Sequence, residues 1–252
     1  MEHSDHGKKL EALKGVPFLE LCEKHGSYQQ NVIGDDGVER WFAQCPSCVI
    51  EAKTHRLVGR AAIPLRFSDR ELSNYHAKTA EQQMVLALVT EFAEKFADAM
   101  KRGTCLTLVG NVGTGKTHLA CGVAKHVMRN GYSALYSQVS EIIRKVRSTW
   151  GGKGERSEEQ VINDFASIDL LIMDEIGVQF GTEAEQITLF EIINKRQANL
   201  KPMILLSNLP ASSDDKNQRT LPDYLGTRVF DRLREGGGKL LVCDWESYRR
   251  NV

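Results

Sequence analysis

The chain has 252 residues, enough for one large domain and a small one, and at 41% hydrophobic it can bury a substantial core. Its 33 basic and 33 acidic residues cancel, so no global field marks it for nucleic acid or for a membrane surface, and any polyanion site must be a local patch. No apolar run approaches the ~18 residues that span a bilayer, and residues 1–9 are too polar for a secretory leader. No membrane association is expected. The expected compartment is the cytoplasm, where thiols stay reduced. The six cysteines then read as metal ligands or buried apolar residues rather than disulfides.

Taken in chain order, residues 1–57 carry a Gly34-Asp35-Asp36-Gly37 turn and a Cys/His cluster. Cys22-x2-His25 is followed, after 19 residues, by Cys45-Pro46-Ser47-Cys48. Two ligand pairs at this separation match a zinc ribbon-like Cys3His site, each pair biting one Zn2+ from a tight turn that Gly26 or Pro46 would shape. The alternative is incidental buried thiols. A closed four-ligand set points to structure rather than catalysis, and so short a segment has little core to fold around without a metal. Trp41-Phe42 would pack beside the knuckles. Residues 58–74, with Gly59 and Pro64, read as a linker, and residues 75–252 as the main domain. Lys53, Arg56, Arg60, Arg66 and Arg70, against Glu51 and Asp69, form one local basic patch. Residues 81–100 read as one amphipathic helix, with Met84, Leu88, Phe92 and Phe96 every four residues.

Beyond residue 100, apolar runs predict strands at 104–109, 133–137, 168–173, 202–207 and 239–243. Helices between them are clearest at 116–129, 139–148, 157–166 and 183–199. This alternation implies a parallel five-stranded sheet with helices on both faces. Gly110-Asn111-Val112-Gly113-Thr114-Gly115-Lys116-Thr117 is a complete G-x-x-x-x-G-K-[ST] phosphate loop between a strand and a helix, and with His118, which follows, it is the expected nucleotide-binding stretch. Its glycines let backbone N–H groups face the phosphates of ATP, and the helix N-terminus adds positive potential. Lys116 would reach the β- and γ-phosphates and Thr117 would hold Mg2+. Arg144, Lys145 and Arg147, then Trp150 in a Trp150-Gly151-Gly152 context with Lys153, form a second basic patch. It suits backbone attraction and base stacking on single-stranded DNA, the alternative being a tryptophan folded onto the core. Residues 168–175 form an apolar run ending in Asp174-Glu175. Asp174 would bind Mg2+, and Glu175 would orient and deprotonate the attacking water. With the phosphate-loop strand central in the sheet, Asn208 at the end of the next strand would bond that water or the γ-phosphate. Arg228 and Arg232, four apart on a helix face, suit a guanidinium offered to a neighbour's γ-phosphate, or else a solvated basic face. Tyr248-Arg249-Arg250 follows the last strand, with no room for a C-terminal lid domain.

These residues carry a resemblance. The phosphate loop, Ser157-Glu158-Glu159-Gln160-Val161-Ile162-Asn163-Asp164, Asp174-Glu175-Ile176-Gly177-Val178-Gln179, Ser207-Asn208, Arg228…Arg232 and Trp245-Glu246-Ser247-Tyr248-Arg249 resemble the DnaC-type replicative-helicase loaders, AAA+ ATPases with phage and prophage members. The resemblance covers about residues 60–252 and extends to the IstB-type transposition helper ATPases. It implies an AAA+ ATPase domain over 75–252 without a lid, catalysis by Lys116, Asp174, Glu175 and Asn208, an arginine finger at Arg232 and a second sensor arginine at Arg249 on the nucleotide. It also implies ATP-dependent self-association, a hexameric replicative helicase as partner and loading of that helicase onto single-stranded DNA. The Cys/His module has no counterpart in the best-known loader and reads as the partner-binding part.

A transposition or recombination helper is the alternative within the family. A metabolite kinase fits poorly, since it needs neither a water-activating glutamate nor a trans arginine. An adaptor using ATP only as a switch would show no turnover.

Overall fold

The computed structural model describes residues 17–33, 36–49, 61–150, 156–178 and 182–251. The chain divides into two units, Met1–Arg56 and Leu57–Val252. In the first, β1 (Leu19–Cys22) and β2 (Gly26–Gln29) pair antiparallel with Cys22 opposite Gly26, and β3 (Asn31–Ile33) pairs with β4 (Glu39–Trp41). Asn31 joins them: its carboxamide accepts from the Phe18 N–H at 2.8 Å and donates to Glu39 at 2.7 Å. Trp41 packs on Phe18, with ring centroids 5.0 Å apart. Among the described residues of this unit only Asn31 and Cys45 are buried, so apolar burial contributes little to holding it together.

The second unit is a layered α/β domain. Its sheet has strands β5 (Cys105–Gly110), β6 (Ala134–Gln138), β7 (Leu170–Ile176), β8 (Met203–Ser207) and β9 (Lys239–Cys243), in the order β6-β7-β8-β5-β9. All pairings are parallel. The strands are apolar on both faces, and successive residues alternate between two cores. Leu106, Leu108, Leu170, Ile172, Ile204 and Leu206 face one; Cys105, Val109, Leu171, Met173, Met203 and Leu205 face the other. Helices α1 (Ala80–Glu94), α2 (Phe96–Arg102) and α3 (Lys116–Arg129) cover the first. Helices α4 (Val139–Arg147), α5 (Glu158–Ser167) and α6 (Glu183–Ala198) cover the second, with the short α7 (Leu221–Leu225) and α8 (Thr227–Arg232) beside them. Capping boxes set four starts: Thr79 with Gln82, Ser157 with Gln160, Thr182 with Glu185 and Thr220 with Asp223.

Three expectations change. The helix read as 81–100 breaks at Lys95 (φ −94°, ψ 28°), and its buried stripe is Val85, Val89, Phe92 and Phe96, while Met84 is 66% exposed. Spacings of four, three and four follow the 3.6-residue turn, whereas a strict four-residue repeat drifts off the face. The central strand is β8, not the phosphate-loop strand β5. Finally, residues 61–74 of the expected linker pack on the sheet domain: the Ala61 carbonyl accepts from Tyr136 N–H at 2.8 Å and Lys125 donates to Phe67, Ser68 and Arg70 carbonyls. Residue 59 lies outside the described residues. After β9 the chain continues into a 3-10 turn, Tyr248–Asn251.

Arg196 of α6 is fully buried and donates to the carbonyls of Phe165, Ile168, Asp169 and Pro202, tying the end of α5 to the starts of β7 and β8. Arg196→Met should destabilise this domain by about 3 kcal/mol or more, because it leaves those buried carbonyls without donors. Denaturant unfolding followed at the domain's fluorescence measures the loss; a change below about 1 kcal/mol would contradict this role.

Candidate functional site

The phosphate loop joins β5 to α3, with Gly115 at φ 90° as the N-cap of α3. A Cβ on Gly115 would lie 2.6 Å from the Tyr75 ring, so both the left-handed backbone and the close approach require glycine. Lys116 Nζ donates to the carbonyls of Gly110 and Asn111, each at 2.7 Å, and burial holds its pKa below the ordinary lysine value. Thr117 Oγ1 donates to Asp174 Oδ2 at 2.9 Å, and Tyr136 donates its hydroxyl to the same oxygen at 2.7 Å. The other Asp174 oxygen accepts from the Glu175 N–H at 2.7 Å. Asp174 is thereby fixed in one orientation, against Thr117, which follows the lysine of the loop.

The acid pair lies inside β7 rather than after it. The register with β8 shifts between Met173 and Ile176, and Glu175 takes φ 60°. A left-handed glutamate costs about 1–2 kcal/mol, a strain that turns its carboxylate out of the sheet edge. Burial and the charge of Asp174 raise the Glu175 pKa. Ser207 Oγ donates to the Ile176 carbonyl at 2.7 Å, pinning the end of β8 to that of β7 and delivering Asn208 to the same edge.

Together these side chains line one cleft of about 470 Å³, which holds Val112, Gly113, Thr114, Gly115, Lys116, Thr117, His118, Asp174, Glu175, Asn208 and Arg249. The loop, the acid pair, Asn208 and Arg249, separated in sequence, are thus brought together. Gly110 and Asn111 stand at the loop's base, their carbonyls on Lys116.

Several cleft residues carried no sequence signal of this role. Tyr75 and Trp245 both donate to the Thr114 carbonyl at 3.0 Å, and Tyr248 N–H donates to the Gly113 carbonyl at 3.0 Å. Tyr75 meets His118 and Tyr248 edge-on, with centroids 5.3 and 5.7 Å apart. Single aromatics in polar segments have no periodicity; only the Trp245…Tyr248 pair before Arg249 offered a signal. Arg66 and Arg70, read with the first basic patch, line this cleft instead. Lys53, Arg56 and Arg60 lie outside the described residues.

Other candidates stand apart from the cleft. Arg228 and Arg232 on α8 are exposed, and Arg232 donates to the Asn194 carboxamide of α6. In the second patch, Arg147 pairs at 3.2 Å with Glu185, and Lys145 sits 5.6 Å from the Phe165 ring centroid. Trp150 donates its indole N–H to Glu158 at 3.0 Å and keeps 49% of its surface exposed, and Arg144 is exposed. Residues 151–153 are outside the described residues.

In the N-terminal unit, Cys22, His25, Cys45 and Cys48 place their ligand atoms within 4.8 Å of one another. Cys22 Sγ lies 3.6 Å from both His25 Nδ1 and Cys48 Sγ, and His25 Nδ1 lies 3.7 and 3.5 Å from the sulfurs of Cys45 and Cys48. Zn–S and Zn–N bonds of about 2.3 and 2.0 Å put tetrahedral ligands about 3.5–3.8 Å apart, which is the range of these four distances. Backbone N–H groups of Lys24 and His25 directed at Cys22 lower its thiol pKa to about 6. The remaining cysteines, Cys105, Cys121 and Cys243, are buried.

Comparison with known proteins matches residues 51–252 to the family described as IstB-like ATP binding protein. The replicative helicase loader DnaC of Buchnera aphidicola (strain Bp) is 31% identical over 200 residues, covering 79% of this chain and 77% of that protein. DnaC of Escherichia coli K12 is 30% identical over the same shares. Among solved structures, a DnaC helicase loader aligns with TM-score 0.61 at 24% identity, covering 71% of this chain and 99% of that one, a likeness of fold. A replication initiator DnaA bound to AMPPCP and single-stranded DNA aligns with TM-score 0.57 at 25% identity, over 71% of this chain and 51% of that one. The matched stretch holds the whole cleft and leaves out the Cys/His cluster.

Gly115→Ala should weaken nucleotide binding by about tenfold or more, since it adds a left-handed penalty and drives the Cβ into Tyr75. Titration with a fluorescent adenine nucleotide reads this, and wild-type affinity would refute the packing argument.

Proposed function

The chain belongs to the IstB-like ATP-binding family together with the DnaC-type helicase loaders, and from that premise we propose that it is an ATP-hydrolysing loader that engages a ring-shaped hexameric replicative helicase in the cytoplasm and places it on single-stranded DNA. The observation that supports the ATPase most directly is the 2.9 Å bond from Thr117 to Asp174, with Glu175 and Asn208 in the same cleft. A hydroxyl beside a carboxylate is the hard-oxygen pair that would hold Mg2+, and Mg2+ would draw charge from the phosphate oxygens. The loop backbone and Lys116 would seat the β- and γ-phosphates of ATP, and Arg249 the nucleotide's flank. Glu175, turned outward and held at raised basicity, would accept a proton from the attacking water while Asn208 fixes that water's place.

Arg232 is exposed on α8 and outside its own cleft, so it would serve a neighbouring subunit's γ-phosphate, with Arg228 as the other candidate. This requires ATP-dependent self-association. Arg144 and the open face of Trp150, with Lys145 and Arg147 adding charge, would hold single-stranded DNA. Zn2+ on Cys22, His25, Cys45 and Cys48 would fold residues 1–57, which would supply the partner-binding surface. A transposition helper is the second reading, favoured by the family description itself. Affinity capture decides between them: the loader reading expects a replicative helicase held in an ATP-dependent manner, and capture of a transposase instead would overturn it.

Glu175→Gln should keep ATP binding and lose about 10²–10⁴-fold of turnover, because the amide cannot take the proton; near wild-type hydrolysis would sink that assignment. Elemental analysis should find one zinc per chain, abolished in Cys45→Ser with nucleotide binding intact; metal-free wild type prepared without chelator would remove zinc. Arg232→Ala should bind ATP and hydrolyse it poorly, and mixing it with Lys116→Ala subunits should restore part of the turnover. Confirmed mixed oligomers without rescue would rule out a trans role for Arg232.

A further inference from the structure

The phosphate loop is held by its carbonyls, and part of the hold comes from outside it. From within, Lys116 takes the carbonyls of Gly110 and Asn111, and Thr114 Oγ1 donates to that of Asn111 at 2.9 Å. From outside, the Gly113 carbonyl accepts from Tyr248 N–H, and the Thr114 carbonyl accepts twice, from Trp245 Nε1 and from the Tyr75 hydroxyl, all at 3.0 Å. Trp245 and Tyr248 belong to the turn that follows β9, and Trp245 is 131 residues from the carbonyl it holds. The turn lies so close to the loop that a Cβ on Gly113 would run into Ser247. Its two rings pack on the first core. Its backbone is anchored by β9, where Cys243 stands opposite Gly110 and its carbonyl accepts from Asn111 N–H at 3.1 Å.

A carbonyl that is held fixes its whole peptide plane. The peptides of the loop are trans, and in a trans peptide the C=O and N–H point in opposite directions. The Gly113 carbonyl shares its plane with Thr114 N–H, and the Thr114 carbonyl shares its plane with Gly115 N–H. Both N–H groups therefore point away from the groups that hold the carbonyls. Such N–H groups are the donors with which a phosphate loop cradles phosphate. We propose that the turn after β9 is a strap that sets the phosphate loop before nucleotide arrives, with Trp245 as a positioning residue: its indole N–H, together with the Tyr75 hydroxyl, fixes the Thr114–Gly115 peptide so that Gly115 N–H is aimed at a nucleotide phosphate. This rests on the ATP-binding reading above. Glycine lets that peptide turn over freely, and affinity falls by the fraction of chains in the competent orientation. Two donors on one oxygen make the hold redundant, so either keeps the plane and loss of both frees it. The same turn carries Arg249 to the cleft, with Arg249 N–H on Ser247 Oγ at 3.2 Å, so one element sets both the loop and the arginine.

The test is calorimetric titration of the full-length chain, with Mg2+, by ADP and separately by AMPPNP. Trp245→Phe and Tyr75→Phe each delete a donor and keep a ring. Each alone should weaken both nucleotides by about twofold, and the two together by about tenfold or more, beyond the product of the single losses. Trp245→His separates the donor from the bulk, because imidazole Nε2 takes the place of indole Nε1 on a smaller ring. Combined with Tyr75→Phe, it should bind within about threefold of Tyr75→Phe alone, whereas Trp245→Phe in the same background does not. A packing role for Trp245 expects the reverse order. Losses that simply multiply, or a histidine that binds no better than phenylalanine, overturn the strap and leave the ATP site standing. Loss of cooperative thermal unfolding in the double variant assigns the rings to the fold and overturns it too. Wild-type chain that binds neither nucleotide overturns the ATP reading and this inference with it.

Discussion

The hydrogen bond from Thr117 to Asp174 joins residues 57 apart in sequence and bridges a strand that belongs to neither. Strands in a sheet lie about 4.8 Å apart, so β5 and β7, separated by β8, are about 10 Å apart at the sheet edge. The phosphate loop has to lean across the end of β8 for its threonine to meet the acid. Much else at the site follows. Asn208 leaves β8 between loop and acid pair, and Ser207 ties that strand end to Ile176. Glu175 gains its place by a bulge and a left-handed turn in β7, where an unbroken strand would aim it along the sheet. A strand inserted between loop and acids is thus what sets them apart on either side of the cleft.

Such a site needs a stiff support, since Lys116 is buried among carbonyls and Glu175 is strained. The support is a sheet covered on both faces, with fully buried side chains alternating between two cores. Arg196 locks the second face by capping the carbonyls where α5 ends and β7 and β8 begin. Helix α3 does two things at once. Leu119, Val123 and Val127 anchor it in the first core, while His118, Lys125 and Arg129 hold the 61–75 segment on its other side. Tyr75 then reaches the loop at Thr114, and the chain's last turn reaches it at Gly113.

The two units are stabilised by different physics. The sheet domain has an extensive apolar interior, whereas the N-terminal hairpins leave Leu19, Leu21, Ile33 and Trp41 exposed and bury little beyond Asn31 and Cys45. For the small unit, a metal held by the four ligand atoms gathered within 4.8 Å of one another is what would substitute for a core.

The sequence by itself determined the element types and the chemistry of the loop, because both are local. Apolar runs of five or six residues between helical stretches become parallel strands almost in place, with bounds moved by at most three residues, and α3 covers 116–129 as expected. A phosphate loop works through adjacent backbone groups, so its spelling nearly fixes its shape. Asp174 was legible as an acid closing an apolar run, and the Cys/His set as two pairs with metal-ligand spacing, whose ligand atoms the fold brings within 4.8 Å of one another. What only the tertiary structure decided depends on residues far apart meeting. The placement of β8 rather than β5 at the centre is a matter of crossover topology, which no strand's composition encodes. The α1 break at Lys95 and its one-step-rotated face answer to what the helix packs against. Tyr75, Tyr136, Arg66 and Arg70 look unremarkable in sequence, since each acquires its role from a contact or a cleft that exists only after the chain has folded. A segment with glycine and proline reads as a connector; it packs on the domain because Lys125, from the helix beside it, has buried protons that its carbonyls satisfy.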